Sequence, residues 1–204
     1  MTTGDVGDIE GVLKEWFGTL SPDGRVQDDV RERWWQKDPT YDAHLRDRWG
    51  KTLASARQGE LDAWEKTPRG ALALVIVLDQ WSRNIHRGSS DMFAADTQAR
   101  AVAKRALAQG HHLALPHELR SFFYLPLMHS ENVDDQSQCV ALFKHLVADS
   151  SGPLRENFLK QVDFAERHRD IIEKFGRFPH RNATLGRTST AEEEAFLKEP
   201  GSSF

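Results

Sequence analysis

TPRGALALVIVLDQWSRNIHRG, residues 67–88, is the stretch on which the fold turns. Thr67 can accept a backbone N–H at a helix start, and Pro68 suits the first helical turn, where no intrahelical donor is required. Every residue from Ala71 to Leu78 is apolar. A membrane span needs about 20 such residues, so this shorter run reads as a core helix. A helix apolar all round needs other elements packed against every face. Polarity then returns abruptly. Asp79, Arg83 and Arg87 follow at i, i+4 and i+8, with Gln80 and Asn84 on the adjoining strip. Charged groups at the end of a buried helix must find partners or stay costly.

Working outward, the period of a helix recurs. Ile9, Val12, Leu13, Trp16 and Phe17 form one apolar stripe that Gly18 ends. A second helix is expected over 26–35. Asp38-Pro39 repeats the cap-then-proline signal and opens a helix carrying Tyr41, Leu45, Trp49 and Leu53 as far as Gly59. Asp91 or Asp96 starts another, which Gly110 stops. Pro116 opens a helix through FFYLPLM, where Pro126 should bend or shorten it. Cys139, Leu142, Phe143, Leu146 and Val147 mark the next buried stripe. Phe158, Val162, Ala165, His168 or Arg169, and Ile172 mark the one after, closed by Gly176 and Pro179. Thr190-x-x-Glu193 is a capping box for a short last helix. No stretch alternates convincingly as a strand does. The expectation is an all-α chain, a stack of antiparallel helical hairpins.

Length and composition set further bounds. The chain has 204 residues, six tryptophans and 11 phenylalanines, enough for one domain over 1–204 with a large aromatic core. Residues 1–7 are expected to be disordered, and 183–204 to pack on the domain as a last helix or a lid. Net charge is -4 with a pI near 6.1, and no long basic stretch appears, which speaks against a nucleic-acid partner. The single cysteine, Cys139, requires no oxidising compartment, and the N-terminus lacks a signal-peptide pattern. A cytoplasmic location and no membrane partner are expected. Cys139 lies on an apolar stripe and reads as an inert core thiol. The tryptophans at 34, 35, 49, 64 and 81 read as packing residues. No P-loop, GxGxxG or G-x-S-x-G pattern is present, and no cofactor is expected.

Two further polar clusters interrupt apolar helices. HSEN, residues 129–132, places His129 and Glu131 directly after FFYLPLM. An imidazole exchanges protons near neutral pH, and a nearby carboxylate can fix its tautomer. Two apart on a regular helix they would diverge, so only an irregular terminus lets them converge. FAERHRDIIEKFGRFPHRN places His168 on a helix and Arg177, His180, Arg181 and Asn182 on the loop behind it. Arginine forks suit carboxylate or phosphate, and imidazoles add switchable donors. Each cluster also has a purely structural reading: an Asp79–Arg83 clamp, a histidine at a helix C-terminus, and arginines covering last-turn carbonyls. His111, His112 and His117 crowd one loop without any metal-ligand spacing.

In chain order WWQKDPTYDAHLRDRW (34–49), GALALVIVLDQWSRNIHRG (70–88), FFYLPLMHSEN (122–132) and FGRFPHRNATLGRTSTAEEEAFL (175–197) resemble the bacterial domain-of-unknown-function 924 family. The resemblance runs from VLKEWFG at 12–18 to the C-terminus. Trp81-Ser82 stands where related chains tend to show Phe-Pro. The resemblance implies a tetratricopeptide-like helical fold and a bacterial source, and carries no activity. It also implies that the three polar clusters belong to one pocket. In that pocket Asp79, Arg83, Asn84, His168, Arg177, Arg181 and Asn182 would bind a small anionic ligand, a phosphorylated compound or a carboxylate. His129 and His180 would exchange protons, with Glu131 or Asp79 orienting them, in hydrolysis, group transfer or binding alone. The competing expectation is a helical module that binds a protein or peptide partner, with the clusters as clamps. A metal held by His129, Glu131, His168 and His180 is a third.

Overall fold

The computed structural model describes residues 6–203, and every regular element among them is helical. In order these are α1 (Ile9–Phe17), α2 (Asp28–Arg33), α3 (Pro39–Arg57), α4 (Pro68–Val75), a π-helical segment (Ile76–Trp81), α5 (Ser82–Ile85), α6 (Asp96–Ala108), α7 (His117–Arg120), α8 (Leu125–Met128), α9 (Val133–Ala148), α10 (Gly152–Phe175), α11 (Asn182–Leu185) and α12 (Ala191–Phe196), with short 3-10 turns between several of them. Tertiary contacts gather into two units. One holds the chain through Arg87 together with Asp91–Pro126; the other holds Gly88–Ser90 together with Leu127 onward. The disordered start expected at 1–7 lies outside the described residues as far as residue 5, and Gly7 donates its backbone N–H to Thr52 Oγ1 at 3.0 Å.

The expected caps are present: Asp38 receives the N–H groups of Thr40 and Tyr41, and Thr67 that of Gly70. Asp8, for which no cap was expected, receives the Gly11 N–H. Each satisfies a donor that the first helical turn leaves orphaned. α2 is shorter than the expected 26–35. The core helix departs from expectation in a more consequential way. From Ile76 to Trp81 it widens to π geometry before returning to α. All residues from Gly70 to Ser82 are buried, so this central element of the first unit is packed on every face.

Around it, Trp16, Phe17, Trp34 and Phe122 form an edge-to-face and stacked aromatic cluster with ring separations of 4.7–6.3 Å. Trp49 meets Trp81 at 4.9 Å. Trp35, expected to pack, is 58% exposed. Glu118, buried, accepts the Val26 N–H at 2.6 Å and faces Arg31 at 3.1 Å, tying α7 to the α2 region.

In the second unit α9 and α10, joined by Asp149–Ser151, form a helical hairpin, as so short a connection requires. Gly176, at φ 68°, takes the left-handed conformation that ends α10. The segment from Pro116 breaks into α7, a 3-10 turn and α8 instead of one bent helix. The carbonyls of Leu127, Met128 and Ser130, at and just beyond the end of α8, converge on the amide of Gln136, a residue with no solvent exposure.

Gly70 has no room for a side chain. A Cβ there would lie 2.1 Å from the Trp64 carbonyl oxygen, which is backbone and cannot rotate away. Gly70→Ala should therefore destabilise the protein by about 1–3 kcal/mol despite alanine's better helix propensity. Urea unfolding of the variant checks this, and an unchanged midpoint would show that the contact relaxes freely.

Candidate functional site

The polar cluster that follows the core helix is a closed set of ion pairs within the first unit. Arg83 reaches both oxygens of Asp96 at 2.9 and 3.0 Å, and Asp79 Oδ1 at 3.1 Å. It also donates to the Asp79 carbonyl. Gln80 donates to the other Asp79 oxygen at 2.6 Å. Burial alone would lower the Arg83 pKa, but the two carboxylates outweigh it and hold the guanidinium charged. Asn84 and Arg87 both turn to the buried Asp42, Arg87 through two bonds of 2.6 and 3.0 Å. Asp42 and Asp96 carried no sequence signal for these roles, because the Asp42 contacts span 42 and 45 residues.

The second unit gathers three of the remaining candidates around one ring. His168 lies edge-on to Phe178 at 5.5 Å, His180 lies 5.5 Å from the same ring, and the Arg181 guanidinium sits over it at 4.4 Å. The charges of His129, His180 and Arg181 all act on His168, so the three imidazoles and the guanidinium share one neighbourhood. α10 supplies His168 from its buried stripe, where it takes the place left open between His168 and Arg169. Gly176 and Pro179 then turn the chain back so that Phe178 joins Ile171 and Ile172 in the core. His168 Nδ1 bonds the Phe164 carbonyl at 2.7 Å. Burial pushes His168 down to about 3 and, with Arg181 adding to it, His180 to about 4. Both rings are neutral at physiological pH.

Glu131 is held elsewhere than at an imidazole. It accepts the Phe178 N–H at 2.8 Å and a two-pronged pair from Arg187 at 2.7 and 3.0 Å. Burial would raise its pKa, but Arg187 and the Phe178 N–H leave it below the usual carboxylate range. Its charge still reaches His180. Arg177 is likewise occupied, clasping Glu193 at 2.6 and 2.8 Å, and this pairing with the Thr190 N–H brings Glu193 down to about 2. Asn182 donates to Ser189 and Glu193, and accepts from Arg187. Arg187 and Glu193 are thus the organising residues that sequence reasoning missed. Glu193 was visible only as half of a capping box, which is indeed formed, and Arg187 lies 56 residues from its partner.

Among the described residues no group of three or more His, Cys, Asp or Glu side chains is arranged to hold a metal ion. No helix among them is long and apolar enough to cross a membrane. Burial drives the Cys139 thiol pKa upward, in keeping with an inert thiol.

The family described as bacterial protein of unknown function (DUF924) matches residues 12–201, and the chain belongs to it. No curated protein matches. A solved structure of a protein of unknown function from Agrobacterium tumefaciens is similar, at 35% identity over 93% of this chain and 96% of that one, with a TM-score of 0.77.

The buried imidazoles make stability depend on pH. Unfolded, His168 and His180 take up protons near 6.5; folded, they resist until about 3 and 4. Between those values the unfolded chain holds more protons, so the stability they confer is complete above pH 6.5 and is lost on acidification. Between pH 5 and 6.5 the unfolded forms of Glu131 and Glu193 are mostly ionised, as are the lowered folded forms, so these carboxyls contribute mainly below that window. In that window His168→Leu should flatten the stability curve by up to about 1.4 kcal/mol per pH unit. Denaturant unfolding at several pH values reads the slope. Equal slopes in variant and parent would mean that the folded His168 titrates normally.

Proposed function

We propose that this is a cytoplasmic, tetratricopeptide-like stack of helical hairpins that binds a small anionic ligand, phosphorylated or a carboxylate, at the imidazole–guanidinium cluster of its second unit. The observation that carries the reading is the gathering of His168, His180 and Arg181 about Phe178, with His129 near enough to act on both imidazoles. Neutral imidazoles give directed donors and acceptors, and the guanidinium gives a planar charged fork. The ligand contacts are assigned to these four residues because they share one neighbourhood in the second unit. Should turnover accompany binding, His129 and His180 are the groups to exchange protons, with Glu131 acting on His180 through charge alone. The α9–α10 hairpin supports the stacked-hairpin part of the reading.

Thermal unfolding against inorganic phosphate, glucose 6-phosphate and citrate tests the proposal. At ~100 times its dissociation constant a ligand adds about 2.7 kcal/mol, a clear rise in melting temperature. That rise should vanish in Arg181→Gln and in the less buried His180→Gln, each with its circular dichroism checked for native helix. No rise with any of the three, or a rise indifferent to both variants, would overturn it.

One observation favours a second reading. Arg83, Arg87, Arg177 and Arg187 each clasp a carboxylate with paired bonds, which is what clamps in a protein-interaction module would do. A partner whose capture survives Arg181→Gln would decide for that module.

A further inference from the structure

A depression of about 380 Å³ opens in the first unit between the C-terminal half of α3 and the end of α5. Arg46, Gly50, Leu53, Arg57, Ile85 and His86 line it. Its arginines differ from those described so far. Arg46 donates to the Ile85 carbonyl at 3.1 Å, and Arg57 donates to Ser82 Oγ at 2.9 Å and to the Asp91 carbonyl at 2.8 Å. Neutral oxygens hold both guanidiniums in place, and neither forms an ion pair among the described residues. Both charges press on His86, whose pKa falls through burial first and then through Arg57 and Arg46, with the Asp91 carboxylate opposing them. Leu53 and Ile85 give the depression a buried apolar floor. Gly50 leaves the wall open, since a Cβ there meets nothing within 4 Å.

We propose that this depression is a binding site for a small organic carboxylate, its apolar body on Leu53 and Ile85 and its carboxylate between Arg46 and Arg57. The volume lies within the range of small-molecule pockets, about 300–1,000 Å³. A guanidinium fork matches a carboxylate in plane and spacing, and each keeps N–H donors beyond those already bonded. The carbonyl end of α5 is weakly negative, and two full positive charges outweigh it. An apolar floor beside two cations selects an amphipathic anion over inorganic phosphate, which has no surface to bury. The site shares no residue with the imidazole cluster and stands independently of it.

An NMR titration of the ¹⁵N-labelled full chain with benzoate and hexanoate tests the proposal, with benzyl alcohol and hexanol as uncharged counterparts. The amides of Gly50, Ala54, Ile85 and His86 should move with the carboxylates. The alcohols should bind at least ~10-fold more weakly, as loss of one charge-assisted hydrogen bond implies. Gly50→Phe should block binding by filling the depression. Arg46→Gln, at an exposed position whose loss leaves the core intact, should weaken it by a similar ~10-fold. His180→Gln should leave these shifts unaltered, which separates this site from the other. Unmoved amides, alcohols that bind as well as the acids, or carboxylate binding indifferent to both Gly50→Phe and Arg46→Gln would overturn the proposal.

Discussion

Burying a carboxylate costs several kcal/mol unless a matched donor is buried with it, and in both units most of the acids drawn out of water meet arginines. Asp42 holds Arg87, Asp79 and Asp96 share Arg83, and Glu118 faces Arg31 in the first unit. Glu131 holds Arg187 and Glu193 holds Arg177 in the second. These pairs fix where non-adjacent helices can sit, because neither member tolerates losing the other. They also sort the arginines by role. Those facing carboxylates hold the fold, whereas Arg46 and Arg57 are held by carbonyls and a hydroxyl.

Local features of the fold were legible because their causes are local. A cap residue bonds two or three positions ahead, so Asp38, Thr67 and Thr190 announce helix starts. Apolar stripes repeat on the helical period, and α1, α3, α6, α9 and α10 follow them. Where the cause was long-range, the sequence was silent. The wider turn over Ile76–Trp81 lies within a stretch buried on every side, Asp79 and Gln80 included, and a change from α to π spacing leaves no solvent-facing pattern to read there. Pro126 signalled an interruption but not the earlier 3-10 turn at Ser121–Phe123, whose Phe122 ring joins the aromatic cluster of the first unit.

The candidate site divides in the same way. His129, His168, His180 and Arg181 stood out as polar residues against apolar helices, and the structure sets the last three about Phe178 with His129 in the same neighbourhood. Their surroundings were illegible. Nothing in FGRFPHRN says that Arg177 points to the capping-box glutamate, or that Arg187, in the loop beyond, reaches back to Glu131. The capping box therefore serves twice: it starts α12, and it delivers a carboxylate to Arg177 and Asn182. The Arg46–Arg57 depression had no sequence signature at all. Its residues come from one helix face and one helix end, and both arginines look like ordinary surface charges in α3.

Cys139 gives the molecule a built-in clock. It is the chain's one thiol, wholly buried on α9, with an ionisation that burial suppresses. Alkylating reagents attack the thiolate, so a folded molecule should ignore them and a molecule with its α9–α10 hairpin open should not. The rate at which such a reagent marks the protein then counts hairpin openings directly, without any introduced label.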